Sequence, residues 1–204
     1  MLKKNVKPRP TTEERRKELV RIAYRLIAQR GLEGFRTRQV AAAAGIDTGT
    51  LHYHFPSKQA LIQAVVDHLA EDFRATQAGR ITMPANAVEE LRNEIFGLAA
   101  RVRESPEQLL VALELTVRAS RDRIVAEILA RMQQEWTDSL TGILNRGIDQ
   151  GLFRADLQPE EAAFVLRAQL AGMALVGMAA PERIDAIATA LFMQINSWLL
   201  KPQA

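Results

Sequence analysis

Apolar residues recur three and four positions apart along most of this 204-residue chain, and no segment alternates apolar and polar residues between turn signals. Spacings of three and four gather side chains on one stripe of an α-helix, whereas a strand needs a spacing of two. The chain is therefore expected to be all-α, with about nine helices.

Local signals mark where these helices begin and end. Thr11 and Glu14 have the spacing of a capping box, and Leu19, Ile22, Ala23, Leu26 and Ile27 then form a stripe that ends near Gly31. Thr37 is placed to cap a short second helix carrying Val40, Ala41 and Ala44, with Gly45 suited to the left-handed position after it. Asp47 is placed to cap a third, and Ile46 stands at staple distance from Leu51. Helix, glycine turn, short helix is the helix-turn-helix pattern. Ser57 then caps a fourth helix with its stripe at Leu61, Ala64, Val65, His68, Leu69 and Phe73, closed by the loop "AGRITMP". A helix is expected near 85–103, and another after the cap, proline and glutamine of Ser105, Pro106 and Gln108. A long one follows from Asp122 to Gln150, with Val125, Leu129, Met132, Trp136, Leu140 and Leu144 on one side. Two more begin near Pro159 and Pro181, apolar over a wider surface than a one-sided helix needs.

Charge divides the chain. Residues 1–70 hold 13 Lys and Arg against 6 Asp and Glu, and residues 71–204 hold 14 against 18, although the whole is only +3. A basic first third on a mildly acidic protein suits a local polyanion site, whether nucleic acid or an anionic membrane surface. The absence of cysteine excludes disulfides, thiolate metal sites and cysteine nucleophiles, and fits a cytoplasmic location. The N-terminal "MLKKNVKPRPTTEERRK" lacks the apolar core of a secretory signal, and no run reaches the roughly 18 uninterrupted apolar residues of a spanning helix, so no membrane partner is expected.

The stretch "IDTGTLHYHFPSK" places two of the three histidines and one of the two tyrosines within three residues. His52 and His54 point roughly 200° apart on a helix, so they do not share a metal ion as an i, i+4 pair does. No third group appears to orient a nucleophile and base, so neither enzyme activity, metal nor cofactor is expected. On a helix starting at Asp47, Thr48 and His52 share one face and Gly49 and Tyr53 a neighbouring one, while Leu51 and Phe55 turn inward. Hydroxyl, imidazole and phenol groups hydrogen-bond phosphates and base edges, and glycine lets the helix approach a backbone closely. The alternative is that Tyr53 and His54 pack against the first helix.

The run "FRTRQVAAAAGIDTGTLHYHFPSKQALI" resembles the DNA-binding signature of the TetR family of bacterial transcriptional regulators, with its threonine-led second helix, "AG" turn, G-T-L core, Y-H-F end and serine-lysine start to the fourth helix. The resemblance covers roughly residues 12–69. It implies that Thr37, Arg38, Thr48, Gly49, Thr50, His52, Tyr53, His54 and Lys58 contact double-stranded operator DNA. His52 stands where the family commonly has tyrosine, and Asp47 where it commonly has serine, so an operator sequence is not carried over. The basic tail "MLKKNVKPRP" is either a solvated terminus or an arm along the DNA, with Arg9 and Lys17 as candidate phosphate contacts.

The resemblance further implies an N-terminal DNA-binding domain over residues 1–56 and a ligand-binding and dimerisation domain over 57–204, joined as a homodimer through the last two helices. The small residues Ala171, Gly172, Ala174 and Gly177, beside Leu170, would allow close helix approach, and Ile184, Ile187, Leu191, Ile195 and Trp198 form a stripe; both sets are expected at the dimer interface, or else in a monomer's core. For a small-molecule effector, polar groups interrupting apolar faces are sought. Glu114 and Arg118 lie four apart and form either an internal ion pair or, for Glu114, a partner for a cationic ligand beside Trp136 or Phe96; Gln133, Arg167 and Gln169 are further candidates. The remaining reading, from another class, is a helical ligand-binding or membrane-surface protein without sequence-specific DNA binding.

Overall fold

The computed structural model describes residues 11–78 and 84–200. Among these the chain is all-α: α1 Thr12–Gly34, α2 Thr37–Ala43, α3 Thr48–His54, α4 Lys58–Ala78, α5 Ala87–Glu104, α6 Pro106–Ala119, α7 Arg123–Asp149, α8 Pro159–Ala179, a 3-10 turn Pro181–Arg183 and α9 Ile184–Leu199. Phe153 and Leu200 form an isolated antiparallel bridge. Two compact units divide between His68 and Leu69.

In the first unit the capping box at Thr11 forms in full, with Glu14 N–H on Thr11 Oγ1 at 3.2 Å and Thr11 N–H on Glu14 Oε2 at 2.7 Å. The first helix passes the expected stop: Gly31 takes φ 67° and kinks it, and the chain runs on helically to Gly34. The cap of α2 is Arg36 rather than Thr37; Arg36 N–H donates to Gln39 Oε1 at 2.9 Å, and Thr37 is the first helical residue. Gly45, at φ 64°, ends α2 in the left-handed region, with Ile46 N–H returning to the Ala41 carbonyl and Gly45 N–H to that of Ala42. That double return satisfies the helix's last carbonyls and aims the chain into α3. Leu19, Ala23, Ile27, Phe35, Val40, Leu51, Phe55, Leu61 and Val65 are buried together as the core. The start of α4 supplies Leu61 and Val65 to this core, and the compact unit extends to His68.

The second unit is a helical bundle. Leu91, Ile95 and Leu98 of α5, Leu140 and Leu144 of α7, Leu166 and Leu170 of α8, and Ile184, Ala188 and Ile195 of α9 are buried in one cluster. Two glycines permit its close approaches. A Cβ on Gly147 would fall 2.0 Å from the Phe153 ring, and one on Gly177 would fall 2.4 Å from Ile184 Cδ1. The cap at Ser105 is not the side-chain cap that the sequence suggests; its hydroxyl makes no cap bond, and Pro106 opens the helix. By length and composition alone α8 is apolar enough to cross a bilayer, and 39% of its most apolar window is buried. Arg167 and Gln169 interrupt it, so no uninterrupted apolar run of spanning length occurs there. Much of the apolar surface of α8 therefore faces outward.

Candidate nucleic-acid interface and candidate ligand cavity

Asp47 sets the geometry of α3. Its carboxylate accepts from Thr50 N–H at 2.8 Å and from the Thr50 hydroxyl at 2.6 Å, which hold it below its ordinary pKa. Gly49 leaves room for that carboxylate, since a Cβ there would lie 2.9 Å from Asp47 Oδ1. The helix then buries Leu51 and seats Phe55 after it, while Thr48, Gly49, Thr50, His52 and Tyr53 are exposed. Tyr53 is 79% exposed although it is the largest side chain on the helix. Its phenol is therefore accessible from solvent, together with the side chains of Thr48 and His52.

Behind this face, Arg16 of α1 donates to the His54 carbonyl at 2.7 Å and lies 4.3 Å from the Phe55 ring centroid. It anchors the end of α3, a role with no local signal because Arg16 is 38 residues away in sequence. His54 is half-buried and meets Tyr53 edge-on at 5.3 Å. Lys58 is also half-buried, and its ammonium donates to the Phe35 carbonyl at 3.1 Å. Arg38 is exposed and Thr37 half-buried at the start of α2. Lys17 pairs with Glu13 at 3.1 Å on the exposed side of α1. Arg9 and the rest of the basic tail lie outside the described residues. His68, half-buried on α4, packs edge-on against Tyr24 at 5.7 Å.

The second unit contains a cavity of about 730 Å³. Its wall is largely apolar, from Phe73, Leu98, Leu109, Met132, Trp136 and Met178, among others. Polar groups converge on it: Glu94 and Arg101, 9% and 4% exposed, and Arg167, which donates to the Gln133 carbonyl at 3.1 Å and Thr137 Oγ1 at 3.0 Å. Trp136 Nε1–H donates to Glu94 Oε1 at 2.7 Å. Of the ligand candidates read from sequence, Gln133 and Trp136 line this cavity, with Arg167; Phe96, Glu114, Arg118 and Gln169 are not among its lining residues. Phe96 packs on Phe192, and Arg118 pairs with Asp122 at 3.1 Å. In sequence, Glu94 and Arg101 each read as one more charge on an amphipathic helix, so neither carries a local signal of the cavity. Among the described residues no group of three or more His, Asp or Glu is placed to hold a metal ion.

The dimer residues read from sequence are mostly internal. Leu170, Ala174, Gly177, Ile184 and Ile195 are buried within the chain, and Ile187, Leu191 and Trp198 pack half-buried against its core. Only Gly172, with Ala171, is exposed. On a helix apolar all round, the periodic stripe marks the core, and the outer face is the opposite one: Phe164, Val165, Leu175 and Val176 on α8, with Met193 on α9.

This architecture can be compared with known proteins. Residues 19–65 match the bacterial regulatory proteins of the tetR family, and residues 87–194 match the C-terminal part of BetI-type transcriptional repressors. The chain belongs to the tetR family of transcriptional regulators. Its α1 to α3 and the start of α4 carry the helix-turn-helix of that family. It is 28% identical to the HTH-type transcriptional repressor KstR2 of Mycobacterium tuberculosis over 70% of this chain and 71% of that one. Among solved structures, Salmonella enterica GusR superposes with a TM-score of 0.77 and 26% identity, covering 91% of this chain and 95% of that one. A transcriptional regulator from Saccharomonospora viridis in complex with choline shares the fold at a TM-score of 0.81 and 22% identity, covering 93% and 99%.

Proposed function

We propose that this tetR-family chain is a cytoplasmic, ligand-responsive repressor that acts as a homodimer on a (pseudo)palindromic operator and is released by a small-molecule effector. The observation that carries the reading is the face of α3, where Tyr53 is 79% exposed beside Thr48, Gly49 and His52 while Leu51 and Phe55 anchor the helix at 1% and 2%. A helix so seated enters a major groove with its N-terminal residues on base edges, and two of them in a dimer reach half-sites about 34 Å apart. Arg38 and the start of α2 meet phosphates. Asp47, already committed to Thr50, caps the helix instead of opposing a phosphate.

The effector site is the cavity. Its volume of about 730 Å³ falls within the range of sites that enclose drug-sized molecules. Its chemistry suits a largely apolar molecule carrying a polar group for Glu94, Arg101 or Arg167. Helix α4 supplies the means of response, because it contributes Leu61 and Val65 to the core of the DNA-reading unit and Phe73 and Arg74 to the cavity wall. A ligand that binds better to one position of α4 shifts the population of the DNA-binding form by that difference. The exposed apolar faces of α8 and α9 form the dimer contact.

Fluorescence anisotropy on duplex DNA from beside the chain's own coding region, against a scrambled duplex over a salt series, tests the reading. Specific binding that Tyr53→Ala abolishes supports it. Equal binding to both duplexes and to anionic vesicles, indifferent to the substitution, overturns it in favour of a polyanion-surface protein.

A further inference from the structure

The ligand cavity is open along α8. Phe164, Ala168, Ala171 and Leu175 line it and are themselves exposed, Phe164 at 59% and Leu175 at 51%. Side chains that belong to a cavity wall and also meet solvent stand at its mouth. At about 100° per residue these four form one edge of a wider exposed apolar face whose other edge is Val165, Gly172 and Val176. The mouth and the exposed face of α8 are thus the same surface.

That face complements itself. About residue 170 it reads alike in both directions: Phe164 mirrors Leu175, Val165 mirrors Val176, and Ala168 mirrors Gly172. Each pair also lies on the same side of the helix. An antiparallel copy related by a two-fold axis at that point brings large residues together at both ends and small ones at the crossing, as an isologous interface requires. Gly172 is a separate sign. It sits exposed in the middle of a helix, where glycine is unfavourable, and a Cβ there would meet nothing within 4 Å. Nothing in the single chain needs a glycine at that position, whereas a second helix axis passing close by does.

We propose that a second copy of the chain completes the ligand site: the partner's α8 lies across the cavity mouth, and the partner's Phe164 and the partner's Leu175 become part of the wall. The inference rests on the homodimer of the preceding section and adds that one chain alone holds an incomplete cavity. Ligand binding and dimerisation then reinforce one another, since a ligand enclosed only in the dimer raises the dimer's stability by mass action. Each site also senses the state of the neighbouring chain.

Trp136 in the cavity wall reports the closure without any ligand. In the full chain carrying Trp198→Phe, Trp136 is the sole tryptophan, and acrylamide quenching measures its access to solvent. Sedimentation velocity fixes the oligomeric state, which is varied by dilution and by Val165→Glu and Val176→Glu, two exposed positions that do not line the cavity. The quenching constant is expected to rise several-fold on passing from dimer to monomer, by dilution and in both variants alike, while circular dichroism stays unchanged. A dimer whose quenching matches that of the monomer overturns the proposal and leaves the homodimer standing. A wild-type chain that is monomeric at all concentrations overturns both.

Discussion

Trp136 and Glu94 join α7 to α5 through a 2.7 Å bond from the indole N–H to the carboxylate, made at the wall of the ligand cavity. Glu94 is 9% exposed, and the indole supplies a hydrogen bond of the kind a buried carboxyl needs. Glu94→Leu leaves a partly buried indole donor without its acceptor and is expected to destabilise the second unit by about 1–3 kcal/mol. Glu94→Gln keeps an acceptor and should lose less. Denaturant unfolding followed by tryptophan emission distinguishes the two, and equal stability of all three proteins would show that the bond contributes nothing.

Tyr53 has almost no role in the folded chain by itself, being 79% exposed. Tyr53→Ala is therefore expected to leave the unfolding temperature within the range of a neutral surface substitution, about 0.5 kcal/mol. Its operator affinity should fall by about 1–3 kcal/mol, the scale of a base-reading contact. Loss of stability without loss of operator binding would place Tyr53 in the packing of α3 and not at the DNA.

Three glycines predict two opposite outcomes for one substitution. Gly147→Ala drives a methyl to 2.0 Å from the Phe153 ring, and Gly177→Ala drives one to 2.4 Å from Ile184 Cδ1; overpacking of this kind costs about 1–3 kcal/mol. Gly172→Ala meets nothing in its own chain and should stabilise the isolated chain by up to about 1 kcal/mol, the helix-propensity gain. The same change, and more so Gly172→Leu, should weaken the dimer. Unfolding curves and sedimentation at matched concentrations read both effects, and a Gly172→Leu chain that dimerises as tightly as wild type would remove Gly172 from the contact.

The DNA-reading unit should lose stability in acid through its caps. Hydrogen bonds from the hydroxyl and N–H of Thr50 hold the Asp47 carboxyl below its ordinary value of 3.8, and those from the Thr11 N–H and hydroxyl do the same for Glu14 below 4.5. A carboxyl depressed by folding contributes in full above its unfolded pKa and loses that contribution as the pH falls through the folded one. The cap contributions are thus complete at neutral pH, begin to fall only as the pH drops to the unfolded values of 4.5 for Glu14 and 3.8 for Asp47, and are lost as it passes through the lower folded ones. Asp47→Asn caps without titrating, so its acid limb should be shallower than that of wild type in a circular-dichroism titration. Superimposable limbs would mean that Asp47 does not govern acid unfolding.

Where the relevant bonds join residues three or four apart, sequence spacing already indicates them. Thr11 with Glu14, Asp47 with Thr50 and Gly45 after α2 formed as their spacing predicts. At α6 the same kind of local reading missed, because Ser105 precedes a proline and adopts φ −144° and ψ 54°, a geometry in which its hydroxyl makes no cap bond. The inward turn of Leu51 and Phe55 against the outward Tyr53 was legible too, since one helical period decides it. Arg16 was not, because its partners His54 and Phe55 are distant in sequence and no local pattern pairs them.

The sequence by itself determined the helical class, the helix-turn-helix and the residues presented on α3, because capping, turn formation and amphipathic periodicity are settled within one or two helical turns. Only the tertiary structure decided which face of α8 is core and which is surface, and that Glu94, Arg101, Trp136 and Arg167 meet around one cavity while Phe96, Glu114, Arg118 and Gln169 do not line it. On a helix apolar all round, composition cannot distinguish the two faces. The burial of Leu170, Ala174 and Gly177 follows from their packing against α5, α7 and α9, elements whose positions no local spacing records.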